Sequence, residues 1–298
     1  MALAWCSTKT DEQGRELAQH GSAQFPIACY HDDLTQGSVP WHWHPELEVF
    51  VVSEGTAVAA VGSARSTLRQ GEGMFINAGV LHAAWPHDRS GCRLHSAVFH
   101  PRLVGGSPDS VFWSRYLQPL LGGEGGECVR FDGTESWHGQ AVQAIEAAWK
   151  SCADEPQGYE FRTREELSRL VFLLSRHHAP ASPAKSEKVL RDESRVKLML
   201  EHVHQNYASQ LTTAAIAKAA AVSESECLRC FRSIIGLTPI QYVTQYRIQK
   251  AAELLSTSTL TIAEIGAKCG YQDASYFTKT FHALKSCTPS RYRSRSEC

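Results

Sequence analysis

Four side chains that can ligate a metal ion occur in the N-terminal third of the sequence. His42, His44 and Glu48 lie within WHWHPELEVF, and His82 follows later in the chain. Because side chains alternate between the two faces of a strand, His42, His44 and Glu48 are expected on one face. Three imidazoles and one carboxylate form a donor set that suits Mn, Fe, Ni or Zn. The same groups also suit a metal-free pocket for an organic molecule, and the residues alone leave both alternatives open.

Short strands are expected to position these side chains. Between Phe25 and about Phe131, segments rich in Val, Phe and Ile end at glycine, as in LEVFVVSEG, TAVAAVG, GEGMFINAG and LHSAVFH. Many short strands with glycine turns predict a sandwich or barrel. We therefore assign residues 1–133 to an all-β barrel, interrupted by a helical stretch at residues 109–121.

Helices are predicted after the barrel. Residues 134–178 contain an apolar stripe with helical spacing, formed by Leu167, Leu170, Val171 and Leu174. This stripe suits either packing on the barrel or a dimer contact, so the segment is predicted to serve dimerisation or packing. The proline-containing stretch APASPAKSEK predicts a linker over residues 179–190, and an all-α domain is expected over residues 191–298.

Charge and composition narrow the class of protein. The 298 residues carry a net charge of −1, but residues 191–298 hold 14 Lys and Arg against 9 Asp and Glu, and residues 1–190 hold 16 against 22. A basic C-terminal part predicts a nucleic-acid-binding module.

No apolar run approaches the ~20 residues of a membrane span, and the N-terminus lacks an apolar signal segment, so we expect a cytoplasmic protein without membrane association. The ten scattered cysteines do not predict a disulfide framework.

Two C-terminal segments share one plan. Residues 211–239 and 260–289 each begin with Leu-Thr, contain a short helix, a tight turn and a longer helix with an inward phenylalanine, and end near Thr-Pro. This plan predicts two helix-turn-helix motifs. The helix predicted between them, residues 239–256, would be about 27 Å long at 1.5 Å per residue. That length suits two helices entering adjacent major grooves, which lie about 34 Å apart on one side of DNA.

Residues 192–293 resemble the DNA-binding domain of the AraC family of bacterial transcription regulators. The strongest part of the resemblance is IAEIGAKCGYQDASYFTKTFHALKSCTPSRYR. It implies seven helices, with reading helices at residues 224–235 and 274–285. It also implies that the partner is double-stranded DNA, that the protein is a homodimer, and that RNA polymerase is a further partner if the protein is an activator.

The resemblance also implies which side chains face DNA. The residues in base-reading positions are Ser225, Leu228, Arg229, Ala274, Ser275 and Lys279. Those in phosphate-contacting positions are Arg232, Arg291 and Arg293. Of the base-reading set, Arg229 has the most suitable chemistry, because a guanidinium group can donate two hydrogen bonds to guanine.

Two features depart from the pattern of the AraC family. Ala221 stands where the family usually has glycine, which predicts a slightly different first turn. Glu224 and Glu226 open the first reading helix and face phosphates poorly, so they either read cytosine or weaken the first half-site.

The N-terminal cluster resembles the metal-binding motifs of cupin barrels, in which His42, His44, Glu48 and His82 would fill the four usual metal positions. Asn77 stands where cupins commonly have proline. A cupin joined to this DNA-binding pair implies an effector domain that senses a small molecule, with a carbohydrate as one candidate, rather than an enzyme. No cofactor is expected, with a divalent metal at the cluster as the alternative. The alternative of a different class is a metal-dependent cupin enzyme with an appended DNA-binding domain.

Overall fold

The computed structural model describes residues 3–4, 20–35, 37–88, 90–122, 126–177 and 186–296. The chain divides between Leu190 and Arg191 into two compact units. Within the described ranges, no helix is both long enough and apolar enough to cross a membrane.

The first unit is built on a β-sheet that folds over on itself. Its strands are β1 (Leu3–Ala4), β2 (Ile27–Asp33), β3 (Val39–His42), β4 (Leu47–Val61), β5 (Ala64–Arg69), β6 (Gly73–Ile76), β7 (His82–Pro86), β8 (Cys92–Phe99) and β9 (Cys128–Phe131). The strand order along the main path is β1-β2-β8-β4-β6-β9, while β5 and β7 pair with β4, and β3 pairs with β7.

Strand β4 joins the two layers of this barrel. Its first half pairs with β8 and β6, and its second half pairs with β5 and β7. The pairing with β8 shifts register between Val52 and Glu54, and Gly55 follows with a φ of 77°. A Cβ at Gly55 would lie 2.5 Å from the carbonyl oxygen of Gly91, so glycine is required at this bend. The sequence predicted two strands here, and the structure has one long bent strand.

The two faces of β4 pack against different cores. Phe50 and Val52 point into the barrel, where they join an apolar cluster drawn from both layers. Val49 and Val51 point outward and pack against helices of the same unit. Glu48 has the same parity as Phe50, so its carboxylate lies on the inner face of the strand.

The helices of the first unit cover the outer face of the sheet. They are α1 (Arg102–Gly105), a π-helical turn (Trp113–Leu117), α2 (Gln118–Leu121), α3 (His138–Asp154) and α4 (Tyr159–His177). Leu167, Leu170, Val171 and Leu174 of α4 are at most 2% exposed and belong to the core against the barrel. Packing on the barrel was therefore the right alternative for this stripe, and a dimer contact through it was wrong, because these side chains are already covered by their own chain.

The second unit is entirely helical in the described residues. Its helices are α5 (Glu187–Asn206), α6 (Thr213–Ala219), α7 (Glu224–Ile234), α8 (Pro239–Thr257), α9 (Ile262–Lys268), α10 (Ala274–Lys285) and α11 (Pro289–Ser296). These are the seven helices that the resemblance implied. Helix α5 begins inside the predicted linker, so residues 187–190 are helical rather than irregular. Residues 179–185 of the predicted linker lie outside the described residues.

Side-chain caps explain where these helices begin. The hydroxyl or carboxylate of the residue before the helix accepts a hydrogen bond from the first turn at Thr212, Ser223, Thr238, Thr261 and Asp273. Each cap satisfies a backbone N–H that has no partner within the helix. The residue before each of the two longer helices in the helix-turn-helix motifs therefore determines where that helix begins.

The two tight turns have the same backbone conformation. In the first motif, the N–H groups of Ala221 and Val222 donate to the carbonyls of Lys218 and Ala217, and the equivalent bonds form around Gly270. Ala221 has a φ of 53° and Gly270 a φ of 81°. The prediction of a different first turn was wrong, because alanine accepts the left-handed conformation that the motif requires.

Candidate functional site

The four predicted ligand residues come together inside the barrel. His42 ends β3 and pairs in register with His82 at the start of β7, and Glu48 lies near the start of β4. One ligand atom from each of His42, His44, Glu48 and His82 lies within 4.8 Å of the other three. The three histidines are 2–3% exposed, and the Glu48 side chain is 12% exposed. Three strand ends and one adjoining turn thus converge on a nearly enclosed polar site.

Backbone carbonyls fix the tautomer of each histidine. Nδ1 donates to the carbonyl of Pro40 at 2.8 Å in His42, of Glu46 at 3.2 Å in His44, and of Val80 at 2.8 Å in His82. A carbonyl oxygen only accepts, so Nδ1 must carry the proton in all three rings. In the neutral imidazoles, Nε2 is then a lone-pair donor, which is the form that binds metals.

The Glu48 carboxylate faces two of these nitrogens. Its Oε2 lies 3.0 Å from Nε2 of His44 and 2.8 Å from Nε2 of His82. Burial opposes ionisation, but His82 and His44 hold the pKa of Glu48 well below its ordinary value. A carboxylate and two lone-pair nitrogens at these distances require a positive charge among them, either protons on the rings or a cation.

His20 is a neighbour of the site that sequence reasoning missed. It is 6% exposed, its Nδ1 lies 2.7 Å from the Tyr30 hydroxyl, and its ring centroid lies 5.4 Å from that of His44. His20 precedes the strands that carry the cluster and belongs to no motif or periodic pattern. Only the fold brings it to the site.

The tryptophans of the same strands serve a different contact. The guanidinium of Arg65 lies 4.9 Å from the centroid of Trp41 and 5.8 Å from that of Trp85. These cation–π contacts tie β5 to β3 and β7. Trp41 and Trp85 are thus engaged with Arg65.

The second reading helix, α10, exposes a polar face. Phe277 and Phe281 are fully buried on its inner side. The predicted base-reading residues Ala274, Ser275 and Lys279 are all exposed. They line one groove together with three further residues that sequence reasoning did not single out, namely Thr278, His282 and Thr288.

The first reading helix, α7, has acidic residues in its first turn, whereas α10 has none. Some of its charged side chains also pair with other charged side chains of the same unit. Ser225 is exposed and Leu228 is half-buried, but the guanidinium of Arg229 contacts the carboxylates of Glu226 and Asp192 at 2.8 and 2.9 Å. Arg232 on the same helix is exposed.

Two of the three predicted phosphate ligands are exposed. Arg232 and Arg291 face solvent, whereas Nη2 of Arg293 donates to the carbonyl of Leu260 at 2.6 Å. Arg293 thus ties α11 to the residues before α9.

Comparison with known protein families identifies both units. Residues 24–222, more than half of the chain, match the AraC-like ligand binding domain, and residues 216–295 match a helix-turn-helix domain. The chain belongs to the AraC family. AraC-family proteins of this architecture are transcription regulators that bind DNA through the helical domain and a small-molecule effector through the β-rich domain. The resemblance drawn from the sequence and the two-part fold class are thereby confirmed.

The AraC-family relatives include regulators that match along most of their length. The HTH-type transcriptional regulator YdeC of Bacillus subtilis is 28% identical over 286 residues, which cover 95% of this chain and 97% of YdeC. The HTH-type transcriptional activator RhaS of Shigella boydii is 25% identical over 256 residues, or 84% and 85% of the two chains. Among solved structures, ToxT of Vibrio cholerae O395 has a TM-score of 0.47 at 11% identity, covering 90% of this chain and 96% of ToxT.

Proposed function

We propose that this AraC-family regulator senses its effector at the cluster of His42, His44, Glu48 and His82, and that the cluster holds a divalent cation. The observation that carries the proposal is the common tautomer of the three histidines. Each ring has its Nδ1 bonded to a backbone carbonyl, and the nitrogens that remain converge on one carboxylate. Imidazoles oriented by a hydrogen bond at the second nitrogen are typical of metal ligands.

The alternative source of positive charge is protonation of the rings. The ring centroids of His44 and His82 are 5.1 Å apart, and those of His42 and His82 are 4.1 Å apart. Several imidazolium groups at these distances would repel one another in a buried site. A single divalent cation satisfies the three nitrogens and the carboxylate together, and when bound it would act as a Lewis acid toward an oxygen of the effector.

An effector with oxygen donors suits this site. Hydroxyl and carboxylate oxygens are ligands that such cations accept beside imidazole, and a sugar is one member of this class. We propose that the barrel senses its ligand rather than converting it, as the relatives named above are regulators. Turnover of a small substrate by the purified protein would contradict this part of the proposal.

On the DNA side, we propose that α10 contributes the dominant contacts. Ser275 and Lys279 are exposed where they can reach base edges, and His282 extends the same face. Arg232 and Arg291 are the proposed phosphate ligands, because both are exposed cations near the reading helices. RhaS is an activator, and by extension we propose contact with RNA polymerase in the cytoplasm.

We further propose that the protein forms a homodimer through an apolar patch on the first unit. Val111, Phe112 and Phe172 are 57%, 56% and 47% exposed. The ring centroid of Tyr116 lies 6.4 Å from that of Phe172, which makes the patch continuous across two helical segments. Exposed aromatic side chains of this kind are enriched in protein interfaces.

Metal content tests the site. Protein purified without a His-tag is expected to contain close to one divalent metal ion per chain by elemental analysis, and a chelator should lower its melting temperature. His82→Ala should lose the metal, whereas the matched control His87→Ala should keep it, because the His87 side chain is 54% exposed and outside the cluster. Metal-free protein that still responds to its effector after chelation would contradict the cation and leave an organic pocket at the same residues.

A further inference from the structure

Four charged side chains join the first reading helix to the helix before the motif. Asp192 and Arg195 lie on α5, and Glu226 and Arg229 lie on α7. Nη2 of Arg229 lies 2.9 Å from Asp192 and 2.8 Å from Glu226, and its Nε donates to Glu226 at 3.0 Å. Arg195 contacts Glu226 at 3.0 Å and Asp192 at 3.5 Å. We call these four residues the α5–α7 charge cluster.

The α5–α7 charge cluster is balanced and partly enclosed. Two guanidinium groups face two carboxylates, and Asp192 is only 7% exposed. The Cys230 thiol completes the surroundings, and burial together with the nearby Asp192 raises its pKa, so it remains protonated. Asp192, Glu226 and Cys230 have ligand atoms within 4.8 Å of one another. Because the two arginines already supply the positive charge, these atoms need no metal ion.

Arg229 cannot keep its contacts with Glu226 and Asp192 and also place its guanidinium on a base. Its Nε and Nη2 donate to Glu226, and its Nη2 also donates to Asp192. Moving this guanidinium to a guanine would leave Asp192 buried with Arg195 at 3.5 Å as its remaining partner in the cluster. An enclosed carboxylate that loses its partner is strongly unfavourable.

We infer that Arg229 is a positioning residue that fixes α7 on α5 through Asp192, and that it does not read a base. This inference rests on the DNA-binding role of the family. Of the α7 side chains that the resemblance placed at DNA, Ser225, Leu228 and Arg232 remain. Because Arg229 joins α7 to Asp192 of α5, the placement of the first reading helix depends on the position of α5.

Two variants and a control test this role in the full chain. Arg229→Met and the double variant Asp192→Asn/Arg229→Met are compared with Arg232→Ala, which removes an exposed cation from the same helix. Binding to promoter DNA is measured across salt concentrations, and base discrimination is measured with a library randomised over the site. Melting temperatures are recorded for all proteins.

The double variant is expected to recover most of the melting temperature that the single variant loses. Arg229→Met should lower the melting temperature, and Asp192→Asn/Arg229→Met should recover much of it, because the unpaired carboxylate is gone. Base discrimination by the double variant should match wild type at every position, and its salt slope should be unchanged. Arg232→Ala should lower the magnitude of that slope by about 1, as expected for a phosphate contact.

Three results would overturn the inference. One is a loss of roughly 5- to 150-fold discrimination at a single base pair in the double variant, as expected if a bidentate guanine contact had been removed. Another is a double variant that melts no higher than Arg229→Met. The third is a salt slope in the double variant reduced as much as in Arg232→Ala. Absence of DNA binding by wild type would instead count against the DNA-binding function itself.

Discussion

Single residues determine the turn within each helix-turn-helix motif. Ala221 and Gly270 occupy equivalent positions with φ of 53° and 81°. Residues with a Cβ pay a steric cost in this region of backbone space, and glycine does not. The first motif is therefore strained at a position where the second motif is relaxed.

Exchanging these two residue types should shift stability in opposite directions. Ala221→Gly is expected to stabilise the second unit by roughly 0.5–1 kcal/mol, because it removes the Cβ from a left-handed residue. Gly270→Ala should destabilise it by more than about 1 kcal/mol, since the φ is positive and strained for alanine. A Cβ there would also lie 2.7 Å from the Ala208 carbonyl oxygen. Urea denaturation measures both changes.

Ala219→Gly is the matched control for the first turn. Ala219 is an exposed residue of α6, two positions before Ala221. Glycine in a helix interior costs roughly 0.5–1 kcal/mol relative to alanine. Ala219 is the last residue of α6, so this variant should be less stable than wild type by at most that amount. If Ala221→Gly were destabilised to the same extent, strain at Ala221 would be excluded.

At the scale of elements, helix α4 has two faces with different roles. Leu170 is fully buried against the barrel, and Phe172, two residues later, is 47% exposed. A helix period places these two side chains on different sides. The inner face stabilises the first unit, and the outer face is part of the proposed dimer patch.

Lysine substitutions separate these roles. Leu170→Lys should destabilise the first unit by more than about 3 kcal/mol, because it forces a longer side chain into a packed core and buries a charge. Phe172→Lys should change stability by less than about 1 kcal/mol, as is usual for exposed positions. Phe172→Lys should nevertheless weaken the dimer in sedimentation experiments. A wild-type chain that sediments as a monomer at tens of micromolar would rule out the dimer patch.

At the scale of the whole molecule, the chain consists of two compact units with separate cores. The ligand cluster lies within the first unit, and both reading helices lie within the second. Damage to the cluster should therefore leave the DNA-binding unit folded. Effector response and DNA binding should be separable by mutation.

A fragment of residues 186–298, which includes the start of α5, should bind promoter DNA without the first unit. Its affinity should fall steeply with salt, because counterions are released from the phosphates. In the full chain, Glu48→Ala should abolish the transcriptional response to the effector in a reporter assay and leave DNA binding intact. Loss of DNA binding in Glu48→Ala, with a normal melting temperature, would show that the units do not act separately.

The sequence by itself determined the features that depend on local pattern. The resemblance carried by the repeated helix-turn-helix plan placed the two reading helices to within one residue, and the caps at Ser223 and Asp273 explain why they begin there. The spacing of His42, His44 and Glu48, with His82 added from the cupin pattern, predicted the cluster that the fold assembles. These predictions succeed because strand alternation and helix capping act over a few residues.

Only the tertiary structure decided the features that depend on distant contacts. It places Asp192 against Arg229 across 37 positions of sequence, and His20 beside His44. It also determined that Leu170 faces the barrel rather than a partner chain. The sequence around an apolar stripe is the same whether the stripe packs on its own domain or on a partner chain. The sequence around an arginine is likewise the same whether its partner is a carboxylate or DNA. Its partner depends on how the elements pack, and no local pattern in the sequence contains that information.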